Sequence, residues 1–310
     1  MLFEPTNSHK PRKFAVCAKC EVCLESRNLR LLKGLMKTPR VLFAAALAAV
    51  TAVAQAQGGL FVTGHDPDFH AQAGNTTGAR NLINRALDFV TDGIGNNSNA
   101  VGNILLVTHR FASGPGGHLD PLAGMLASGP YSITMADDGS AGGGVLNLAT
   151  VNFSLFDAVV VASDFGGWLT QGELNILNAR SMDIINYING GGGVVAFAES
   201  GLGAHLTTSG HWGWLPFLVS GHAHDQVEAG FTVTPFGLSL GITPADVNGN
   251  FSHNYFLTTG GMNVIDYDGS GRVMSLAFYG RIGQAGVVPG PGAAIVFLLG
   301  MRSLRRRPRA

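Results

Sequence analysis

The sequence has little cysteine and little charge. Its three cysteines, Cys17, Cys20 and Cys23, lie within the first 23 of 310 residues. Residues 57–288 therefore contain no thiol, which excludes disulfide bonds and a cysteine nucleophile in that stretch. Only 13% of the residues are charged, which excludes a strongly charged disordered chain.

Lysine is also missing from residues 57–288. That stretch has six Arg against 17 Asp and Glu, whereas residues 1–56 have nine Lys and Arg against three acids. Residues 289–310 add five Arg and no acid. The net charge of zero thus conceals an acidic middle between two basic ends. We therefore expect no nucleic acid partner.

An export signal is present near the start of the chain. Met36 is followed by a basic segment, by an apolar run over residues 41–53 and by an Ala-Gln-Ala cleavage site at residues 54–56. This tripartite pattern predicts that residues 36–56 are a secretory signal peptide, handled by the secretion machinery and cleaved before Gln57.

Residues 1–35 have no place in such a signal. We interpret them as an over-extended gene start. In the alternative interpretation this segment is translated, and the thiolates of Cys17, Cys20 and Cys23 bind zinc or an iron–sulfur cluster.

The other end of the chain has its own pattern. Residues 289–310 begin with Pro289-Gly290-Pro291, continue with an apolar run over 293–301 and end in five arginines. Arginines after a short apolar helix stay on the inner side of a membrane. The pattern resembles a PEP-CTERM sorting signal, in which Glu occupies the position of Gly290. A plain C-terminal anchor is the alternative.

The resemblance to a sorting signal implies a location and a partner. It implies an exported protein of a Gram-negative bacterium, held in the membrane by a transmembrane helix in this tail until an exosortase-type sorting enzyme processes it. The mature protein would then lie in the cell envelope, at the cell surface or outside the cell.

Residues 57–288 predict a single α/β domain, because short apolar runs alternate with amphipathic stretches. The apolar runs are continuous, which favours a mostly parallel sheet with helices on both faces. A capping box at Thr170 and Glu173 opens a helix that reaches residue 188. Asp266 and Asp268 are interpreted as turn residues of a C-terminal antiparallel hairpin. The predicted strands are 60–63, 104–107, 131–135, 158–161 and 194–197, with the hairpin over 264–267 and 272–278. Asp120 and Pro121 are predicted to open a short helix, and the Gly-rich residues 137–150 are interpreted as a loop.

The segment 156–200 resembles a known superfamily. It contains Asp157, then Ala158 and three valines, then Tyr-Ile-Asn-Gly-Gly-Gly-Gly over residues 187–193, then a strand that leads to Glu199. These features resemble the class I glutamine amidotransferase-like superfamily, and most closely its trehalose-utilisation-like branch, which lacks the Cys nucleophile. The resemblance implies a flavodoxin-like sheet, with Glu199 at the position of the nucleophile.

Polar side chains follow four of the predicted parallel strands. Parallel strands bring their carboxyl ends to one edge of a sheet, where ligands bind. A cluster of carboxylates and imidazoles is costly without a cation, protons or water, so we expect a divalent metal or a polar ligand there. No P-loop and no Gly-x-Gly-x-x-Gly follows a strand, so a nucleotide is not expected. The predicted ligand-binding residues are His65, Asp66, Asp68, His70, His109, Asp164 and Glu199.

Subsets of these residues support more specific hypotheses. His65, Asp68 and His70 are the predicted ligands if a metal binds. Glu199, Ser200 and His253 are the catalytic candidates, with Ser200 as nucleophile, His253 as base and Asp246 as acid. The Trp-containing segment 211–214 is interpreted as a packed lid or a corner of the core, with a sugar-binding platform as the alternative.

Two hypotheses for function follow. In the first, the domain binds a small molecule or saccharide in the cell envelope or extracellular matrix, without amidotransferase activity. In the alternative, it is a metal-assisted hydrolase that uses the His65–His70 loop with Glu199 or His253.

The export signal makes a direct prediction. The protein recovered from the cell envelope or the medium should begin at Gln57, because signal peptidase cleaves after the Ala-x-Ala motif. N-terminal sequencing of that material checks this. Recovery of an exported chain that still carries Cys17 would contradict it.

Overall fold

The computed structural model describes residues 57–92, 102–109, 119–140, 145–164, 167–200, 206, 210–223, 230–249 and 252–283. All of them belong to the compact unit that spans Gln55–Ala310. The predicted gene-start segment, signal peptide and sorting tail lie outside the described residues. Within those residues, no helix has the length and apolar character needed to cross a membrane.

The domain is α/β, as predicted, and its described residues form a mixed sheet of 11 strands. Six strands form its parallel portion, in the order β4-β3-β2-β5-β6-β1. The continuous apolar runs of β1, β2, β5 and β6 are buried on both faces, which is typical of parallel strands, whereas β3 and β4 are more exposed. The six strands are β1 Gly58–Thr63, β2 Asn103–Val107, β3 Ser132–Asp137, β4 Leu146–Asn147, β5 Ala158–Val161 and β6 Gly193–Ala196.

The remaining five strands form an antiparallel portion. β11 pairs with β1 over six residue pairs and also with β10, which in turn pairs with β8. β9 meets β11 at Phe256 and Val273 and pairs along its length with β7. The strands are β7 Val219–Ala223, β8 Thr232–Val233, β9 Asn254–Thr259, β10 Asn263–Tyr267 and β11 Val273–Gly280.

The position of β1 differs from the flavodoxin-like expectation. That order is 2-1-3-4-5, with the first strand between the second and the third. Here β1 lies between β6 and β11 instead. The six residues of β1 are all buried. One edge of β1 pairs with the parallel β6, and its other edge pairs with the antiparallel β11.

The helices begin largely where the sequence predicts. Asp120 caps the helix that starts at Pro121, and its side chain accepts a hydrogen bond from Leu122 N–H at 3.0 Å. Thr170 and Glu173 form the predicted capping box. The helices are α1 Pro67–His70, α2 Thr76–Asp92, α3 Pro121–Ser128, α4 Gln171–Ala179, α5 Ser181–Asn189, α6 Pro235–Ser239 and α7 Pro244–Val247, with a 3₁₀ turn at Phe153–Leu155.

The single helix predicted up to residue 188 is two helices, α4 and α5. Arg180 separates them, with a non-helical backbone at φ −101° and ψ 17°. Its guanidinium donates to the Leu148 carbonyl, pairs with Asp183 at 2.8 Å and lies 4.1 Å from the ring centre of Phe153. These tertiary contacts are not visible in the helical periodicity that made the segment look continuous.

Apolar side chains cover both faces of the sheet, so helices pack on both. Leu60 and Leu105 face a core that includes Leu174 of α4 and Ile184 of α5. The alternating positions Phe61 and Leu106 face a second core, built mainly with α2. The sheet is thus held rigidly between two helical layers, which fixes the positions of its strand ends.

The central strands should dominate stability. Leu106→Ala should lower the free energy of unfolding by about 2–5 kcal/mol, because Leu106 is fully buried and its truncation leaves a cavity. Leu257→Ala is the matched control, since Leu257 is 61% exposed and its truncation should cost less than about 0.5 kcal/mol. Urea denaturation measures both, and equal effects would contradict the assigned core.

Candidate functional site

A buried polar cluster lies where the parallel strands end. It has five carboxyl groups and three imidazoles, each at most 2% exposed. Neighbouring backbone bonds join its parts, because Ala198 N–H donates to the His65 carbonyl and Asp164 N–H to the Ala198 carbonyl, both at 3.0 Å. We call this set the carboxyl-edge cluster: His65, Asp66, Asp68, His70, Asp164, Glu199, His253 and Asp266.

Asp66 lies between two imidazoles. Its Oδ2 is 3.2 Å from Nε2 of His253. Its Oδ1 is 3.4 Å from Nε2 of His70, a contact that lacks hydrogen-bond geometry. His70 Nδ1 is 3.0 Å from the Ala73 carbonyl, and because a carbonyl only accepts, Nδ1 carries the proton. The two rings therefore present Nε2 atoms to one carboxylate.

His65 has a different partner. Its Nε2 lies 2.9 Å from Oδ2 of Asp266, and both side chains are fully buried. Asp266 lies in β10, and its neighbour across the ladder is Ser275 of β11. Asp266 was predicted to serve a hairpin turn, and that prediction misses its pairing with His65. A local turn motif does not show that β11 brings β10 and the end of β1 together. Asp268, in contrast, does accept from Ser270 N–H and Arg272 N–H at the turn.

Asp68 is bound by the end of β5. Its two carboxyl oxygens accept from Ser163 N–H at 2.9 Å and Ser163 Oγ–H at 2.8 Å. Gly167 allows this approach, since a Cβ there would lie 2.3 Å from Asp68 Oδ2. Its N–H in turn donates to Ser163 Oγ at 2.7 Å. Sequence reasoning missed Ser163 as a partner, although it precedes Asp164 at the same strand end.

Glu199 is bound by the tryptophan segment. Its carboxyl oxygens accept from Trp212 N–H at 2.6 Å and from Trp214 Nε1–H at 2.7 Å. Trp212 has φ +61°, a left-handed conformation that costs a non-glycine residue roughly 1–2 kcal/mol. The bond to Glu199 and the burial of both indoles offset that cost. Both tryptophans belong to the core.

Ser200 lies against Asp164. Its N–H donates to Asp164 Oδ1 at 2.6 Å, and its hydroxyl is 3.1 Å from both carboxyl oxygens. His253 Nε2 lies 3.2 Å from Oδ2 of Asp66. Asp246 completes the capping box of α7 with Thr243. The candidate nucleophile, base and acid thus each contact a different residue. These residues are Asp164, Asp66 and Thr243.

Burial changes the protonation of two carboxyl groups. It raises the pKa of Asp68 to about 7, and the negative charge of Asp66 adds to the effect. Burial also raises the pKa of Glu199 to about 8, against the opposing influence of the bonds from Trp212 and Trp214. Both groups thus titrate near neutral pH instead of near pH 4.

Three oxygens of the site are buried without a hydrogen-bond donor among the described residues. They are Asp66 Oδ1, Asn254 Oδ1 and Asp266 Oδ1, all on residues at most 1% exposed. Asn254 lies beside the cluster, since its amide donates to the Glu199 carbonyl at 2.9 Å. A buried acceptor left without a donor costs about 1–3 kcal/mol.

The three predicted metal ligands have separate partners. His65 pairs with Asp266, Asp68 with Ser163, and His70 with Ala73 and Asp66. Within the described part of the chain, a group of His and Asp ligand atoms that lie within 4.8 Å of one another is formed instead by His109, Asp137 and Asp138. His109 was a predicted ligand-binding residue. Asp137 and Asp138 were missed because residues 137–150 were interpreted as a loop.

The described cavities lie elsewhere. Two neighbouring cavities, of about 350 and 420 Å³, are both lined by Ser154, Asn186 and Tyr187, near the amino ends of β5 and β6. The segments that follow β2 and β6 in the chain, 110–118 and 201–205, lie outside the described residues.

Comparison with known proteins adds no relative. The chain matches no protein-family model, no curated protein and no solved structure.

The raised pKa values predict how stability depends on pH. The folded protein keeps protons on Asp68 and Glu199 that the unfolded chain releases above about pH 4. This contribution is complete at acidic pH and is lost as the pH rises through about 7 and 8. The urea midpoint should therefore be lower at pH 8.5 than at pH 5.5.

Two variants make this pH test specific. Glu199→Gln should flatten the pH dependence, because the amide does not titrate. Asp183→Asn is the control, since Asp183 is 54% exposed and lies on α5, and it should keep the wild-type slope. A midpoint that is constant or rises between pH 5.5 and 8.5 would contradict the assignment.

Proposed function

We propose that this is an exported protein whose α/β domain binds a small hydroxyl-rich molecule, such as a saccharide, at the carboxyl-edge cluster. The signal at residues 36–56 and the PEP-CTERM-like tail support a location in the envelope or extracellular matrix of a Gram-negative bacterium. An exosortase-type enzyme is the proposed sorting partner.

The observation that carries the binding proposal is the set of three donor-less buried oxygens. Asp66 Oδ1, Asn254 Oδ1 and Asp266 Oδ1 are all acceptors, so their complement is a donor. Hydroxyl groups of a polyol donate to such oxygens and can also accept from nearby groups. Asp66 follows β1 at the carboxyl edge of the parallel portion, where ligands of α/β proteins bind. The antiparallel strands β9 and β10 bring Asn254 and Asp266 to the same edge, beside Gly64 and His65.

The contacts of Glu199 favour binding over hydrolysis. At the proposed position of an amidotransferase nucleophile, this chain has a carboxyl group whose two oxygens are both engaged by tryptophan N–H groups. The stretch 57–288 has no thiol. Glu199 is fully buried and held by two donors. We therefore assign it a structural role beside the site instead of the role of a nucleophile.

The strand order supports the proposed relation to the amidotransferase-like superfamily. If counting starts at β2, the six parallel strands run 3-2-1-4-5-6. Without the two-residue β4 the remaining five run 2-1-3-4-5, which is the flavodoxin-like order, and β1 takes the fifth position. We propose a permuted relative of that fold in which the first strand of the chain closes the parallel portion.

Titration calorimetry tests the binding proposal. The purified protein is titrated with a panel of neutral sugars: glucose, galactose, mannose and maltose. We expect heat of binding with at least one of these sugars. Asp66→Asn should bind that sugar at least tenfold more weakly, because the amide replaces one of the two carboxylate oxygens by an NH₂ group, which donates instead of accepting.

The control for this titration is Asp183→Asn, which changes an exposed carboxyl group away from the site. Circular dichroism of each variant verifies folding. If no sugar in the panel binds, or if Asp66→Asn binds as tightly as the unchanged protein, the proposed site is wrong.

A further inference from the structure

A second group of ligand-type side chains lies farther along the same edge of the sheet. His109 follows β2, while Asp137 ends β3 and Asp138 follows it. β2 and β3 are parallel neighbours, with Val107 opposite Ala136. One ring nitrogen of His109 and one carboxyl oxygen of each aspartate lie within 4.8 Å of one another. One nitrogen and two oxygens are a ligand set that suits a divalent metal.

A buried carboxylate holds the imidazole from outside this group. Glu173 is fully buried, and its Oε1 lies 3.0 Å from His109 Nδ1. The same carboxyl group accepts from Thr170 N–H at 2.9 Å and Asp138 N–H at 3.1 Å. Because the carboxylate oxygens of Glu173 accept these hydrogen bonds, His109 Nδ1 is the donor and carries the proton. The same Nδ1 also lies 3.9 Å from Oδ1 of Asp138, so the ring lies beside both the supporting carboxylate and one of the proposed ligand residues.

This arrangement is typical of metal-binding histidines. Such residues usually donate their second ring N–H to a carboxylate or carbonyl, which fixes the ring and its tautomer. Glu173 is itself fixed by the capping box of α4. The helix therefore positions His109 before any ion binds.

The aspartates are also positioned, and they are accessible from one side. Asp137 Oδ1 accepts from Gly139 N–H at 2.7 Å, and Asp138 Oδ1 accepts from Ser140 N–H at 2.9 Å. Asp137 is buried, whereas the side chains of His109 and Asp138 are 15% and 25% exposed. An ion can thus approach from solvent while one ligand anchors it inside the protein.

We propose that His109, Asp137 and Asp138 bind a divalent transition-metal ion, with Glu173 as the residue that orients His109. The ion offsets the two negative charges, in a domain that has no lysine between residues 57 and 288. This proposal is independent of sugar binding at the carboxyl-edge cluster.

The test uses Zn²⁺ and Co²⁺ as probes on the full purified chain after treatment with a chelator. We expect one ion per chain by calorimetry, and a visible Co²⁺ absorption band that reports nitrogen and oxygen ligands. His109→Ala and Asp138→Asn should each weaken binding at least tenfold and change the Co²⁺ spectrum.

His222→Ala is the matched control, because His222 lies on β7 and stacks on Tyr255, away from this group. It should bind Zn²⁺ like the unchanged protein. Asp138→Asn is the second variant in case His109→Ala unfolds, since Asp138 is partly exposed. Absence of stoichiometric binding, or unchanged affinity in folded His109→Ala and Asp138→Asn, overturns the proposal. Asp66→Asn should leave Zn²⁺ binding unchanged, so failure of the sugar site and failure of the metal site are distinguishable.

Discussion

Ionisable side chains can be buried at the edge of this sheet only because neighbouring strands supply their hydrogen-bond partners. Burial of an isolated charge costs far more free energy than a domain of this size can offset. The Gly64 carbonyl accepts from His253 N–H at 2.7 Å and Asn254 N–H at 3.3 Å. This link attaches the start of β9 to the end of β1. The antiparallel portion of the sheet thus delivers His253 to Asp66, and β10 delivers Asp266 to His65.

The same constraint explains why the cluster belongs to the fold as much as to a ligand. Asp68 ties α1 to the end of β5, and Glu199 ties the end of β6 to the tryptophan segment. Most polar atoms of the cluster are thereby satisfied within the protein. Asp66 Oδ1 and Asp266 Oδ1 of the cluster, and Asn254 Oδ1 beside it, have no donor among the described residues, and buried polar atoms of this kind call for an explanation such as a bound molecule, water or ion. The group of His109, Asp137 and Asp138 differs from this cluster because it is partly exposed. The carboxylate that supports it, Glu173, is fully buried and contacts His109.

Local features of the domain were predictable, whereas long-range pairings were not. The apolar runs at 60–63, 104–107, 158–161 and 194–197 are strands, and the capping box at Thr170 forms. These depend on neighbours in sequence. The place of β1 depends on β11, more than 200 residues later, and no periodicity carries that information. The same holds within the site. Asp266 and Asp137 were assigned to a turn and a loop, because only the register of the sheet places them near His65 and His109.

The central claim is that a bound molecule supplies donors to the buried oxygens of the carboxyl-edge cluster. A crystal structure of the purified protein, at a resolution that shows ordered water and small ligands, tests it most directly. The account predicts non-protein density within hydrogen-bond distance of Asp66 Oδ1 and Asn254 Oδ1. Protein donors that bond these oxygens, for example from residues 110–118 or 201–205, would contradict it.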